Sequence, residues 1–541
     1  MLSPDESDGT SFTMKKRFSI LVLAAILLTM ASVFTACKDD PPPTDVVQGT
    51  AEKGDKGDKG DKGDRGDRGE PGEPGATGAD GLGIDNIKIV DGNLIVTYTD
   101  GTIADLGPVP KPALDGSAGL DYYPLPDNTY GVSMGRTGYL TEVRIPATYE
   151  GVPVTRILDS AFQGNTNLQS IVIPKGITTI DKNAFAGCDK LTEISLPDGI
   201  TSIGEGAFSG CSSLTDITLP QGLTHLGAEA FKDCRALSQI TVSTGITTIE
   251  YGLFSGCSGL ASVTIPLTVT DIHMDAFRAC RSLQSIEIPV SVTSMGKNIF
   301  AECDTLSSVT IPYVPSVPSR ITEENEWVAT SFTQLFSAKS EALTSVVITG
   351  GDTIPEAAFK DYGNLTEITL PSTITTIHKF AFQNCAGLTS MVFPEYLSVI
   401  DDEAFGGCVN LTAPTLPPYL TAIGRKAFAN CAGFTEIIIP GAVTRISELA
   451  FENCGNLTTL VVSEGITAVD NNTFAKCPAL TLVYLPASLV RLGSTAFNGC
   501  SALTTLNFAG TKTQWDLAEK PDDIGFRYDI RFEHPYSSPQ E

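Results

Sequence analysis

Cysteine and histidine are the residues of this chain with the widest chemical reach. The 541 residues hold thirteen cysteines and four histidines. Twelve of the cysteines, at 188, 211, 234, 257, 280, 303, 385, 408, 431, 454, 477 and 500, stand three residues after a phenylalanine. A shared phase lines them up as a column, whereas a structural zinc site needs a tetrahedral cluster. Neighbouring strands lie about 4.8 Å apart, within disulfide reach, but parallel side chains in register rarely adopt the disulfide dihedral. The column therefore reads as buried, small apolar thiols, with disulfides between adjacent rungs as the alternative. His273 and His378 share a phase but stand on opposite sides of an insertion, His225 sits two positions earlier in its rung, and His534 is in the tail. No His-Glu-x-x-His, Gly-x-Ser-x-Gly or phosphate-binding glycine loop occurs. The expectation is a protein with no catalytic residue, no metal and no cofactor.

Cys37 is the exception. Met14-Lys15-Lys16-Arg17 begins a basic segment, and Phe18 to Phe34 is an apolar run placed like a signal peptide. Met14 is then a candidate true start. Ala36-Cys37 resembles a bacterial lipobox, which implies cleavage before Cys37 and acylation of its thiol. A plain signal peptide with an incidental cysteine is the alternative. Lys38-Asp39-Asp40 resembles the signal that exports lipoproteins of Bacteroidota-type Gram-negative bacteria to the outer leaflet.

These residues must be positioned by a repeat. Phenylalanines recur every 23 residues from Phe162 to Phe300 and again from Phe336 to Phe497, giving fifteen units. A fixed period of 20 to 50 residues means stacked supersecondary units. In one rung, Leu191, Ile194 and Leu196 fit the pattern L-x-x-L-x-L; Ile194 and Leu196 face inward while Glu193 and Ser195 face out, as alternation along a strand requires. Pro197 ends the strand, Gly199 allows the turn, Ile200 and Ile203 bury a second side, and Phe208 fills the interior. Between Phe300 and Phe336 the spacing is 36 residues. The excess, at about 312–330, includes Trp327 and predicts a loop on one face. Lys339 and Tyr362 replace the column cysteine in the rungs after it.

The string AFxxCxxLTxIxLPxxITxIG, repeated over roughly residues 155–508, resembles the BspA-like (Treponema-type) leucine-rich repeats. The resemblance implies a β-rich leucine-rich repeat solenoid of a bacterial surface protein, several relatives being adhesins. It also implies an N-terminal β cap at 120–157, repeats at 158–503, and a C-terminal cap and tail at 504–541 in which Trp515 covers the last rung.

Ahead of the cap, the chain divides into a signal segment at 1–37, a linker at 38–53, a collagen-like run at 54–83, a β-hairpin module at 84–108 and a second linker at 109–119. Gly54 to Asp80 is nine unbroken Gly-X-Y triplets. Glycine at every third position suits the triple-helix axis, and 27 such residues span on the order of 80 Å. The run is a stalk, either as a homotrimer or as a monomeric spacer. The Arg65-Gly66-Asp67 within it follows from the triplet register.

With 36 basic against 63 acidic residues, the net charge of −27 repels nucleic acid and anionic lipid. Membrane attachment is expected only through the lipid on Cys37. Outward strand positions are mostly polar before the insertion: Glu193 and Ser195, Asp216 and Thr218, Gln239 and Thr241, Ser262 and Thr264. After it, apolar residues recur at Val347, Val392, Ile438, Val461 and Tyr484, joined by Leu482. These predict a contact surface on the C-terminal half of the concave face, centred on Ile438, Val461, Leu482 and Tyr484, with the Trp327 loop as a second contact; β-propensity alone is the competing explanation. The expected protein is a non-enzymatic outer-membrane lipoprotein, exposed at the cell surface, binding a protein or glycan macromolecule in adhesion to host matrix or other bacteria. Polysaccharide capture or envelope organisation is the alternative.

Overall fold

Each rung turns three times, and the residue at each turn has a physical reason. In the rung after Leu191, the strand Glu193–Ser195 exposes both end residues and buries Ile194. It pairs in parallel with Ser170–Val172 of the rung before. After Pro197 the chain crosses to a second strand, Ser202–Ile203, paired in parallel with Thr179–Ile180. The third side is a turn around Phe208, whose N–H donates to Ala230 O at 2.8 Å in the next rung. The computed structural model of the protein describes residues 84–90, 93–98, 101–108, 119–135, 140–316, 327–412 and 414–536. Cys37, Lys38, Asp39, Asp40 and the collagen-like run lie outside the described residues.

The result is a leucine-rich repeat solenoid with one continuous interior. Its axis carries the phenylalanines. Phe162 and Phe185 lie 5.2 Å apart with rings 3° from parallel, and the stack continues to Phe300 and again from Phe359 to Phe497. The cysteine column runs beside it. All twelve thiols are free and buried. Each donates to the carbonyl of the phenylalanine one rung earlier, as Cys211 does to Phe185 O at 3.3 Å and Cys280 to Phe254 O at 3.3 Å. Most of these carbonyls already accept the N–H three residues on, as Phe185 O does from Cys188 N–H at 3.0 Å, and the thiol adds a second, weak donor. Threonines do the same at the solvent edge: Thr201 Oγ1 donates to Thr178 O and Thr224 Oγ1 to Thr201 O.

Glycine preferences follow from geometry. The residue before each cysteine has a positive φ, 75° at Gly187, 60° at Asn384 and 63° at Asn430, which is why glycine, asparagine and aspartate dominate there. Gly199 is different from its expected role. Its φ is not positive; a Cβ there would come within 3.0 Å of Lys175 O. The requirement is room between rungs, not an unusual turn conformation.

The insertion is built into the wall of the solenoid. The strand Ser308–Ile311 pairs in register with Ser345–Ile348, so the first ladder passes the extra residues without a break. The second ladder does break: Gly296 bridges Val328 antiparallel, Lys297 N–H donates to Trp327 O, and Ala329 N–H donates to Met295 O. Phe332, on a short 3-10 turn, takes over the stack, 4.7 Å from Phe359, with Tyr362 edge-on to both. The larger Tyr362 replaces cysteine where the interior must adapt to this handover.

At the start of the solenoid, β4 (Asp121–Pro124) and β5 (Tyr130–Ser133) form an antiparallel pair, and β5 runs parallel to the strand Val152–Ile157, which leads into the second ladder. Tyr122 and Tyr149 stack at 4.0 Å over this end. At the other end, Thr511 caps the helix Lys512–Leu517 through a capping box, which presents Trp515 to Phe508 at 5.1 Å. The strand Asp529–Phe532 pairs in parallel with Thr505–Phe508. Separately, β1 (Ile84–Val90), β2 (Asn93–Tyr98) and β3 (Ile103–Pro108) form a three-stranded sheet with β2 central.

Candidate binding surface

The first-strand face carries a polar trough in its N-terminal half and exposed apolar side chains in its C-terminal half, where Glu436 and Ile438 border a depression of about 450 Å³. In the N-terminal half, the ladder lapses to a single bridge, Glu193 with Asp216, before resuming at Gln239–Thr241. Around that lapse lies an open trough of about 760 Å³ lined by Asp216, Thr218, Gln239, Thr241, Ser262 and Thr264. It continues into a second depression of about 580 Å³ bordered by Glu193 and Ser195. Hydroxyls, an amide and carboxylates make this half polar and acidic.

In the C-terminal half, Ile438 and Leu482 are each 44 % exposed, and Val392 is 86 % exposed. Tyr484 and Val347 are half-buried. Val461 departs from expectation: it is only 4 % exposed. Register places it between Ile438 and Tyr484 on the adjacent strands. The chain's own tail then crosses this region. After the strand Asp529–Phe532, Glu533 adopts a φ of 59° and the chain doubles back. The Tyr536 ring meets Tyr484 edge-on at 5.2 Å, and its hydroxyl donates to Glu436 Oε1 at 3.3 Å. Glu436 and Tyr484 stand two rungs apart with the Val461 rung between them, and Val461 is buried there rather than exposed beside Ile438 and Leu482.

Trp327 is likewise displaced from its expected role. It lies beside the second ladder, half-buried, with its ring 4.3 Å from that of His273. His273 Nδ1 is 3.2 Å from Glu250 Oε2, and this hydrogen bond holds the Glu250 carboxyl below its ordinary range. Trp327 is thus a wall residue away from the first-strand face, and the structure does not bring it together with Ile438 and Leu482.

One exposed pair went unread in the sequence. Tyr396 and Tyr419 are 58 % and 53 % exposed and stack at 5.4 Å on the turn that follows the first strand. Pro394-Glu-Tyr-Leu and Pro417-Pro-Tyr-Leu, one period apart, carry that signal, because most rungs place a small residue at the tyrosine position. A shallow groove of about 280 Å³ beside them is lined by Val392, Glu395, Thr415 and Pro418 among others.

Burial pushes the Cys188, Cys257, Cys303 and Cys408 thiols up to about 12, so they stay protonated and are poor nucleophiles and metal ligands. Among the described residues no cluster of three metal-ligating side chains occurs, and no helix is long and apolar enough to cross a membrane.

Comparison with known proteins agrees with this architecture. The model of the BspA type leucine rich repeat region matches residues 136–261, 254–323, 330–431, 352–481 and 398–516. No curated protein matches the chain. Among solved structures, the chain is similar to a leucine rich cell surface protein from Faecalibacterium prausnitzii, at 27% identity over 74% of this chain and 96% of that one, with a TM-score of 0.35. It is also similar to a leucine-rich repeat protein from Bacteroides ovatus, at 21% identity over 76% of this chain and 98% of that one, with a TM-score of 0.32. With the family model covering most of the solenoid rung by rung, the chain belongs to the BspA-type leucine-rich repeat family.

Proposed function

We propose that this protein is a non-enzymatic surface lipoprotein, anchored by lipid on Cys37, whose solenoid binds a macromolecular partner in adhesion to host matrix or to other bacteria. Lys38-Asp39-Asp40 directs it to the outer face of a Gram-negative outer membrane, and the Gly-X-Y run lifts the solenoid off that membrane, alone or as a homotrimer. One observation carries the binding reading: Ile438 and Leu482 stand exposed on the strand face of nearby rungs, where most of the other outward positions are polar. A patch of this kind on a soluble surface marks an interaction site. The second reading, polysaccharide capture, draws on the exposed Tyr396–Tyr419 stack, since aromatic rings suit sugar faces.

The test is capture with the Cys37→Ser chain as bait against matrix proteins, purified glycans and intact bacteria. Saturable binding to a protein supports the first reading; binding confined to an oligosaccharide replaces it with the second. The anchor is checked in parallel. Cys37→Ser should leave the membrane fraction and lose palmitate labelling, and a variant that keeps both sinks the lipidation claim. Alanines at Lys38, Asp39 and Asp40 should retain the lipid and reduce protease access on intact cells.

A further inference from the structure

The tail shows what the patch can hold. Tyr536 reaches back to Glu436, 100 residues earlier in the chain, and sits between an aromatic ring and a carboxylate. Its hold there is slight: one edge-on ring contact at 5.2 Å and one hydrogen bond of 3.3 Å. Behind it, Pro535 cannot donate a backbone hydrogen bond and His534 N–H is already committed to Phe508 O. The segment is therefore laid over the ladder by its side chain, not woven into it as a further strand. On the rung between Glu436 and Tyr484, Val461 is buried, while Ile438 and Leu482 on the flanking rungs remain exposed. Tyr536 thus engages the same two rungs that carry the exposed Ile438 and Leu482 and leaves both of those side chains open.

We infer that the Glu436–Tyr484 patch is a receptor for an extended peptide segment bearing a tyrosine, and that the protein's own tail occupies it as an intramolecular competitor. This rests on the reading that the strand face is the contact surface, and it names the partner's chemistry. A tyrosine is specified because the site offers two features at a fixed separation: a ring edge or face at Tyr484 and a hydrogen-bond acceptor at Glu436. Phenylalanine would satisfy only the first. The net charge of −27 further favours a segment that is neutral or basic around its tyrosine.

The probe is a fluorescein-labelled peptide with the sequence of residues 531–536, titrated by anisotropy into the full Cys37→Ser chain. Tyr536→Ala should bind it about ten-fold or more tighter than the parent, because a tethered competitor acts at high effective concentration. Adding Tyr484→Ala to Tyr536→Ala should abolish that gain. Ile438→Asp, at an exposed position, serves as a second disruption should Tyr484→Ala not fold, as judged by thermal melting. A peptide with phenylalanine in place of its tyrosine should bind more weakly. Equal binding by the parent and Tyr536→Ala, or no binding to Tyr536→Ala, overturns the proposal. Capture of a macromolecular partner is scored separately, so a failed peptide titration beside successful capture rejects the tail competition and leaves the adhesion reading standing.

Discussion

The two halves of the strand face share a backbone, a period and an interior, yet they present opposite chemistry. From Glu193 to Thr264 the outward side chains are polar over an open trough. From Val392 to Tyr484 they are apolar in part, and the tail already uses some of them. In a solenoid each rung needs only its neighbours, so inward positions are constrained everywhere while outward positions are free to differ. Packing does not demand the difference between the halves, and the proposed contact surface rests on it. Substitutions can test this split from both sides.

The largest effect should be the same in both halves. Cys234→Asp and Cys454→Asp each bury a carboxylate without a partner and should each cost more than about 4 kcal/mol. The alanine versions should cost about 1–2 kcal/mol, for a sulfur-sized cavity and a lost thiol hydrogen bond. Chemical denaturation followed by hydrogen exchange checks both. A thiol count showing six disulfides would contradict the column of free thiols instead.

Binding should then separate the halves. Ile438→Asp with Leu482→Asp should weaken capture of the identified partner by about 2 kcal/mol or more, a loss typical of hot-spot residues. Gln239→Asp with Thr264→Asp should leave it nearly unchanged. Loss in the second pair alone would move the contact surface to the polar trough.

A smaller effect concerns Asp275, two residues before Phe277. It is 8 % exposed, has a φ of 58°, and its Oδ1 has no hydrogen-bond partner. Desolvation raises its carboxyl above the ordinary range, opposed by Arg278. An acid whose folded pKa is raised costs stability when ionised, and that cost is relieved as pH falls through the raised value. Asp275→Asn, which tolerates the same backbone, should stabilise by about 0.5–1 kcal/mol at neutral pH, with the advantage shrinking toward acid. In the C-terminal half the same position holds Glu403, Lys426, Leu449 and Asn472; the one acid among them, Glu403, accepts a hydrogen bond from Gln383 Nε2, so it is no counterpart of the unpartnered Asp275 oxygen.

The smallest effect has the opposite sign. The His273 hydrogen bond depresses Glu250. Its contribution is present above the ordinary carboxylate range and fades as pH falls through the depressed value. Because both side chains are about one-third exposed, Glu250→Gln should cost only a few tenths of a kcal/mol at neutral pH, and less as pH falls through the depressed value. Melting temperatures at several pH values resolve the two groups.

Local pattern alone determined the repeat, the alternation of Ile194 against Glu193 and Ser195, and the shared phase of the cysteines. Each of these involves residues within one rung or its neighbours, and a 23-residue period repeats the signal until it is unmistakable. The existence of the insertion was legible for the same reason, as a broken count between Phe300 and Phe336. Which side of the solenoid received it was not. Trp327 went to the second ladder because the backbone groups at 295–297 needed partners there, a demand that appears only once rungs are stacked. Gly199 looked like a turn glycine, but the constraint was the Lys175 carbonyl of the rung before. Val461 matched every local criterion for an outward side chain. It is nonetheless buried, on the rung between the two that Tyr536 joins, and no local period encodes a contact between residues 436 and 536.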